Sequence, residues 1–495
     1  MPEGYRKEIR LTALLAVFVF SLTFSLYLNA INNAFQFDDV HSIVENFSLR
    51  RVTNIPRFYT DPASFSSERY MAMYRPLLLT TYAINYYFGG MDVKGFHIAN
   101  NLIHALNALL LFLIAARLMR RRPVRAGPEK KNRSDGDHGA AITSPHWILP
   151  ITAALLFGLH PLNTQAVNYI SSRSGLLVTL FYLLSFYLYL VAGSARGGKR
   201  SLYFYAGSVV CFGLALLSKE IGITLPAIIA TYVLLERHGN IRDRIRSLPK
   251  CYLAILATTG AVYLIIRKVV LGNAVITISK ATLLDGAGGQ RSLLANFLTQ
   301  VKVDVIYLKM FIFPSNLSID KDIHVVKSVG DPHFLLSLLA IIVMIVVSIL
   351  LIKRNSRLAF GVVWFFVAII PVTVLPLNIL YNEHRTYLPM AGLCLAVGSG
   401  LSWVATLFDR ETTARGGKIA LIVALSMILG ASAALTIKRN RVWKSPISFW
   451  SDVLTKTPSS YIAGRAHVEI GSALMMAGDY RGALASYKEA IAIAP

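Results

Sequence analysis

Near its start the chain reads LTALLAVFVFSLTFSLYLNAI at Leu11–Ile31, and FQFDDV follows at Phe35–Val40. The first stretch carries no charge and has the length of about 20 residues with which a helix crosses a bilayer. Arg6, Lys7 and Arg10 precede it, and no small-residue cleavage site ends it. We therefore predict a retained membrane helix rather than a cleaved signal peptide, with two adjacent carboxylates just beyond its end.

Composition places the chain among integral membrane proteins. It has 495 residues, of which 55% are hydrophobic and 15% charged. Because the bilayer core has no water to bind peptide groups, each long apolar run should form a helix. About eleven spans are expected, near residues 11–31, 96–118, 147–160, 175–193, 202–218, 221–236, 251–271, 334–352, 358–377, 387–408 and 418–437.

The basic residues determine the expected orientation. The formal net charge is +24, but Lys and Arg crowd into short loops between apolar runs, which is typical of cytoplasmic loops. This distribution argues against nucleic-acid binding. The N-terminus and a linker over 120–145 are expected in the cytoplasm. The first helix then carries Asp38 and Asp39 to the outer side, and the C-terminus is external as well.

Two apolar stretches are expected to lie at the membrane interface without crossing. Residues 74–88 are apolar but short, and they fall in the large external loop between the first two spans. Residues 293–313 contain Lys302, Asp304 and Lys309, which disfavour a full span. We predict an interfacial helix at each place.

The composition changes after Lys438, so we divide the chain into a membrane domain (1–438) and an external helical segment (439–495). Within the segment, about 464–495 match the spacing of one tetratricopeptide repeat. The matching residues are Ile470, Gly471, Leu474, Ala483, Tyr487, Ala490 and Pro495. One repeat cannot bury its own hydrophobic face, so either further repeats follow or this one docks on the membrane domain or on a partner protein.

Polar residues that are unusual in a membrane protein fall mainly at the outer helix ends. Because ionisable groups at membrane depth are costly, such a set indicates a polar cavity. The residues expected to line it are His41, His97, Asn101, His160, Glu220 and Glu383. Hydrogen bonding between helices is an equally good interpretation for His97 and Asn101, which share one helix face.

Glycosyl transfer from a polyprenyl-phosphate sugar is one reaction that needs carboxylates and cations together at the membrane surface. A carboxylate takes the proton of the acceptor hydroxyl, and cations stabilise the departing phosphate. Asp38 and Asp39 are the candidate catalytic residues, and in an extended segment they point to opposite sides. An Asx-type turn that caps the next helix is the alternative. A divalent cation is left open, with Asp38 or Asp39 as its ligand.

Several motifs together resemble the transmembrane and tetratricopeptide-repeat-containing O-mannosyltransferase family, which has the C-type glycosyltransferase fold. The motifs are Phe37-Asp38-Asp39, Tyr74–Leu77, Phe96–Asn100, Leu159–Pro161 with Ser172–Ser174, Ser218–Glu220 and Asn382–Pro389. The resemblance implies an enzyme that transfers a sugar from a polyprenyl-phosphate carrier to a protein hydroxyl, with Asp38 or Asp39 as base. Candidates for binding the donor phosphate are Arg75, Arg173, Lys219, His384 and Arg385.

Three other functions compete with this one. The same fold glycosylates lipids or polysaccharides in related enzymes, a polar cavity also suits a transporter, and the repeat suits an assembly protein. Acids and bases on one side, rather than at the bilayer midplane, argue against a transporter. Members of the family usually carry many repeats, whereas this chain shows one, which leaves recognition of the acceptor protein open. Short loops and plain linkers favour a bacterial inner membrane over the endoplasmic reticulum.

Overall fold

The computed structural model of the protein describes residues 3–68, 71–120, 147–195, 198–236, 241–272, 291–319, 321–375, 379–408, 414–457 and 461–493. Every regular element within these ranges is helical, as predicted. The α-helices are α1 (Glu3–Leu26), α2 (Ile55–Phe58), α3 (Pro76–Gly89), α4 (Val93–Arg120), α5 (Ile148–Leu159), α6 (Thr164–Asn168), α7 (Arg173–Ala192), α8 (Lys199–Ser218), α9 (Leu225–Glu236), α10 (Ile241–Arg246), α11 (Lys250–Leu271), α12 (Leu293–Ile312), α13 (Pro332–Leu351), α14 (Ser356–Val374), α15 (Tyr387–Leu407), α16 (Ala414–Asn440), α17 (Pro446–Lys456), α18 (Tyr461–Met476) and α19 (Tyr480–Ile493).

Nine helices in the described ranges are long and apolar enough to cross a membrane. Two shorter apolar helices, Ile148–Leu159 and Glu220–Leu235, fall where two more spans were predicted. The protein is thus an integral multi-pass membrane protein. The predicted interfacial stretches are helical too, as α3 and α12. The predicted linker over 120–145 lies almost wholly outside the described residues, as does Pro495 of the predicted repeat.

The main hydrophobic core lies where α4, α5, α7 and α15 pack together. Its large aromatic side chains, including Phe112, Phe157, Phe186 and Trp364, are fully buried. Helices α14 and α15 approach each other closely at Gly361 and Gly392. A Cβ atom at either glycine would overlap the backbone of the opposite helix. This contact fixes α14 against α15.

Helix α4 carries a stripe of polar side chains, each of which hydrogen-bonds to another part of the bundle. His97 Nε2 lies 2.9 Å from the Asn33 carbonyl oxygen, and Asn101 Nδ2 donates to the Phe24 carbonyl oxygen at 2.8 Å. Other members of the stripe are Asn100, His104 and Asn107. His97 and Asn101 are buried, and these bonds fit the alternative of hydrogen bonding between helices; that the two residues line a cavity stays a prediction.

An asparagine cluster joins the end of the first membrane helix to the end of α16. Asn440 Nδ2 donates to Asn29 Oδ1 at 2.8 Å, and Asn168 Nδ2 donates to Asn440 Oδ1 at 2.8 Å. Asn33 Nδ2 donates to the Asn440 carbonyl oxygen at 3.0 Å. These buried bonds fix the start of the first outer loop against the residues that leave the last membrane helix.

The segment after α16 packs onto the membrane domain. Trp443, Phe449 and Trp450 share one buried cluster with Tyr169 and Ile319. Helices α18 and α19 pack together as a hairpin. Their assignment as a tetratricopeptide repeat, and the division at residue 438, stay predictions. Of the three arrangements considered from sequence, the structure has the segment docked on the membrane domain.

Candidate active site

The two adjacent acids of the first outer loop point to different surroundings. Phe37, just before them, has a φ of 54°, a left-handed conformation that is uncommon for any residue other than glycine. After this turn Asp39 is fully buried, whereas the side chain of Asp38 is 46% exposed. The two carboxylates therefore lie in different surroundings, one buried and one half-exposed. They follow a tight turn and not the extended segment that was expected.

Asp39 holds the loop together. Its Oδ1 accepts hydrogen bonds from the backbone N–H of Ser171 at 2.7 Å and from the Ser171 hydroxyl at 2.5 Å. Its Oδ2 accepts from the backbone N–H of Gln36 at 3.0 Å. Burial outweighs these bonds and raises the pKa of Asp39 to about 7. Both oxygens therefore have protein partners.

Asp38 is the more accessible acid and lies beside a histidine. His41 Nε2 is 3.5 Å from Asp38 Oδ1, and His41 Nδ1 is 2.9 Å from the Ser66 hydroxyl oxygen. The neighbouring Asp38 carboxylate raises the pKa of His41. His41 therefore lies beside Asp38 but not on the wall of the cleft described next, and its predicted cavity-lining role stays a prediction. Ser66 orients the ring from its other nitrogen.

Asp38 lines a cleft, which we call the Asp38 cleft. Its other lining residues are Phe37, Gln165, Tyr169, Ile319, Ile379, Asn382, His384, Trp443, Phe449 and Trp450. The aromatic wall formed by Trp443, Phe449 and Trp450 comes from the segment after the last membrane helix. Sequence reasoning missed this wall. Its only signal was two tryptophans and a phenylalanine within eight residues of a polar segment.

The loop before α15 forms another wall of the cleft. Gln165 Nε2 donates to Asn382 Oδ1 at 2.9 Å, and the backbone N–H of His384 donates to Gln165 Oε1 at 2.8 Å. The Tyr307 hydroxyl lies 3.0 Å from the Asn382 carbonyl oxygen. These bonds hold His384 at the cleft and against the basic residues behind it.

Three basic residues gather behind His384, and we call Arg75, Lys219 and Arg385 the cation cluster. Lys219 interacts electrostatically with Arg75 and Arg385, and His384 interacts with all three. Arg75 NH2 lies 3.3 Å from Glu220 Oε1, so one carboxylate partly balances the cluster. The structure therefore brings together four of the five predicted phosphate ligands.

Arg173, the fifth predicted phosphate ligand, has other partners. It is fully buried, and its Nε donates to Asn100 Oδ1 at 2.6 Å. Its NH1 donates to Asn85 Oδ1 at 2.5 Å and its NH2 to the Phe96 carbonyl oxygen at 2.9 Å. The guanidinium also lies over the Tyr82 ring. Arg173 ties α7 to α3 and α4, and its donors do not face the cleft.

Two further residues predicted to line the cavity are buried away from it. His160 Nε2 lies 2.9 Å from the Phe311 carbonyl oxygen, and its Nδ1 accepts from the Leu162 N–H at 3.2 Å, as a helix cap does. Glu383 is fully buried and interacts with Arg439 rather than with the cleft. Neither residue lines the Asp38 cleft, and a place for either on a cavity wall stays a prediction.

The described residues contain no group of three or more His, Cys, Asp or Glu side chains that could hold a metal ion.

No family model matches the chain. Curated protein O-mannosyl-transferases do resemble it. Mouse TMTC4 is 25% identical over 491 residues, covering 92% of this chain and 63% of its own length. Human TMTC4 is 32% identical over 208 residues, covering 41% of this chain and 26% of its own length. The relative F38B6.6 from Caenorhabditis elegans is 24% identical over 486 residues, covering 96% and 62%.

The resemblance inferred from the motifs is thus confirmed: the chain is similar to the TMTC protein O-mannosyl-transferases. It spans less than two thirds of the length of these relatives. Two solved structures are also similar. Cupriavidus metallidurans ArnT bound to undecaprenyl phosphate has a TM-score of 0.43 and 12% identity, with 98% of this chain and 76% of ArnT covered. Archaeoglobus fulgidus AglB, an oligosaccharyltransferase in complex with an inhibitory peptide and a dolichol-phosphate, has a TM-score of 0.48 and 14% identity, with 90% and 58% covered.

Proposed function

We propose that the protein is a C-type membrane glycosyltransferase that moves a sugar from a polyprenyl-phosphate carrier to a hydroxyl group of a protein. The names of its relatives suggest mannose as the sugar. The observation that carries the proposal is the arrangement of the Asp38 cleft. An accessible carboxylate lines one side, and His384, backed by the cation cluster, lines another.

Asp38 is the general base in this proposal. The acceptor hydroxyl gives its proton to the Asp38 carboxylate while its oxygen forms a bond to the anomeric carbon of the sugar. The bond between that carbon and the phosphate oxygen breaks, and its electron pair leaves with the polyprenyl phosphate. Asp39 is a positioning residue, because its oxygens accept bonds from Ser171 and Gln36 and fix the turn that presents Asp38.

The cation cluster stabilises the leaving phosphate. Negative charge grows on the phosphate as the glycosidic bond breaks, so fixed cations stabilise the transition state more than the ground state. Within the described residues, the Lys219 ammonium makes no hydrogen bond to another side chain, which suits it to an incoming phosphate. Arg173 is left out of this role because its donors are bonded to α3 and α4.

The proposed location follows from the charge distribution. Lys and Arg in the short loops favour a cytoplasmic N-terminus and an external Asp38 cleft. Short loops and plain linkers favour a bacterial inner membrane. The acceptor protein would approach from that side, where α18 and α19 offer an additional surface for a protein partner. The surrounding membrane lipids include the carrier, which would enter laterally.

Replacement of Asp38 by Asn tests the base. Sugar transfer should be measured with the full chain in reconstituted membranes that contain a polyprenyl-phosphate sugar. Loss of a general base typically costs about 10²–10⁴-fold, so we expect Asp38→Asn to lower the transfer rate by about 10³-fold. Asn has nearly the same size as Asp, so the turn should be preserved.

Glu45→Gln is the matched control, because Glu45 is an exposed acid on the same loop. We expect its transfer rate to stay within about twofold of wild type. Wild-type activity in Asp38→Asn would disprove the assignment of the base. A wild-type protein that transfers no sugar from any polyprenyl-phosphate donor would refute the proposed function and favour a transporter or an assembly protein.

A further inference from the structure

Three side chains that line the Asp38 cleft carry a buried polar atom that makes no hydrogen bond of good geometry, although the Tyr169 hydroxyl lies close enough to Asp38 to interact with it. These atoms are the Tyr169 hydroxyl oxygen, Trp443 Nε1 and His384 Nδ1. Tyr169 is only 6% exposed and Trp443 only 1%. A buried polar group without a partner is destabilising, and most such groups in folded proteins are paired. Three of them around one cleft indicate that a polar ligand completes their bonding.

Each of the three atoms suits a hydroxyl group. Trp Nε1 only donates, a tyrosine hydroxyl donates and accepts, and a histidine nitrogen does either according to its tautomer. A ligand that satisfies all three must offer several groups that both donate and accept. Neighbouring hydroxyls on a sugar ring have this property, whereas a phosphate only accepts when it is fully ionised.

The remaining walls of the cleft favour a sugar as well. Phe37, Phe449 and Trp450 are aromatic and pack edge to face or tilted against one another. A pyranose ring has apolar C–H faces and a rim of hydroxyls, so it fits aromatic walls that carry a few polar atoms. His384 also interacts with the cation cluster. A sugar in the cleft would therefore lie between Asp38 and the bound phosphate.

We propose that Tyr169, Trp443 and His384 bind hydroxyl groups of the donor sugar, so that the segment after the last membrane helix forms part of the sugar site. This inference rests on the proposed function and adds to it the residues that recognise the sugar. Trp443 is supplied by residues outside the predicted membrane domain, and the bond from Gln36 Nε2 to the Trp443 carbonyl oxygen connects it to the loop of Asp38.

Tyr169→Phe and Trp443→Phe test the inference through binding rather than turnover. Affinities of the full chain in lipid nanodiscs should be measured for polyprenyl-phosphate mannose and for polyprenyl phosphate without a sugar. Loss of one hydrogen bond in a buried site corresponds to about 5- to 10-fold in affinity. We expect each variant to bind the mannosylated lipid about 5- to 10-fold more weakly and the bare lipid within about twofold of wild type.

Tyr27→Phe is the matched control. The Tyr27 hydroxyl is also buried and without a partner, but it lies in the main core next to His104 and not in the cleft. Its loss should leave both affinities unchanged. Without ligand, Tyr169→Phe should unfold at a temperature close to that of wild type, because the lost hydroxyl makes no hydrogen bond of good geometry and only interacts with the half-exposed Asp38. This combination of kept stability and weakened sugar binding is not expected of a purely structural residue.

The possible outcomes separate the inference from the proposed function. Equal loss of affinity for both lipids, or no loss for either, would contradict the sugar site. Neither result would contradict the proposed transferase function. A wild-type protein that binds neither lipid would contradict both the sugar site and the proposed function. Weaker binding of the mannosylated lipid alone, in Tyr169→Phe and Trp443→Phe but not in Tyr27→Phe, would support the sugar site.

Discussion

The polar stripe of helix α4 and the Asp38 cleft contain similar residue types and differ in where their unpaired atoms lie. On α4, His97 and Asn101 bond to carbonyl oxygens of other segments, and the atoms without a partner, Asn101 Oδ1 and Asn107 Oδ1, are buried in the helix bundle. In the cleft, Tyr169, Trp443 and His384 each have a buried polar atom that is unpaired. Burial alone does not distinguish the two regions, since both lie largely inside the protein.

The difference teaches how to separate structural polar residues from functional ones in a membrane protein. A paired polar group stabilises one arrangement of helices and has no capacity left for a ligand. An unpaired group lowers the stability of the ligand-free protein, and a ligand that supplies the missing hydrogen bond removes this penalty. Position at the cleft, together with pairing, therefore separates the binding residues from the α4 scaffold. Arg173 belongs to the scaffold, because its donors bond to α3 and α4. In the cation cluster, Arg75 bonds to Glu220 and Arg385 to the Leu380 carbonyl oxygen, whereas Lys219 makes no side-chain hydrogen bond within the described residues.

Lys219→Met should have the largest effect among the basic residues. If Lys219 stabilises the leaving phosphate, its loss should lower the transfer rate by about 10²–10³-fold with little change in unfolding temperature. Transfer and thermal unfolding should be measured on the same reconstituted sample. Lys444→Met is the control, because Lys444 is exposed and follows Trp443. A transfer rate within twofold of wild type in Lys219→Met would show that the cation cluster does not act on the phosphate.

Arg173→Lys should affect stability instead. Lysine keeps the charge but cannot reproduce the planar set of donors that reaches Asn100, Asn85 and the Phe96 carbonyl. We expect the free energy of unfolding to fall by about 3 kcal/mol, from the loss of hydrogen bonds to a charged group. Denaturant unfolding in detergent measures this. Arg385→Lys is the matched substitution. It should lower the free energy of unfolding less than Arg173→Lys does, and it should lower the transfer rate more. The reverse order would overturn the division between scaffold and cation cluster.

The sequence predicted the places of the membrane helices because their signal is local. About eleven spans were expected; nine helices in the described ranges are long enough to cross a membrane, and two shorter apolar helices lie at the other two places. Apolar runs of sufficient length and basic loops are visible without any knowledge of packing. The pair Asp38-Asp39 and the basic residues Arg75, Lys219 and Arg385 were also identified, because charges next to membrane helices are rare enough to stand out.

The sequence did not predict which polar residues have partners. His97, Asn101 and His160 have the same polarity as residues of the cleft, and only packing shows that each bonds to a carbonyl oxygen. The aromatic wall was missed for a related reason. Trp443 lies hundreds of residues from Asp38 in sequence, and the asparagine bonds that bring the two segments together have no local signature.

Asp39 provides the smallest expected effect, through the pH dependence of stability. Because burial raises its pKa to about 7 from an ordinary value of 3.8, the folded protein keeps a proton that the unfolded chain has already lost. The contribution of Asp39 to stability is therefore greatest at low pH and is lost as the pH rises toward about 7. Proton linkage predicts that the contribution of Asp39 to the free energy of unfolding falls by about 2 kcal/mol between pH 5 and 7. Many other groups also titrate in this range.

A difference measurement isolates this contribution. The unfolding temperatures of wild type and Asp39→Asn should be recorded in detergent from pH 5 to 8. Asn does not titrate, so wild type should lose stability relative to the variant up to about pH 7, and the difference should level off above it. Glu45→Gln should keep the wild-type profile, because that carboxylate is exposed. A constant difference across the range would mean that Asp39 is ionised throughout. The three bonds from Ser171 and Gln36 would then outweigh burial, and the distinction between Asp38 and Asp39 would rest on exposure alone.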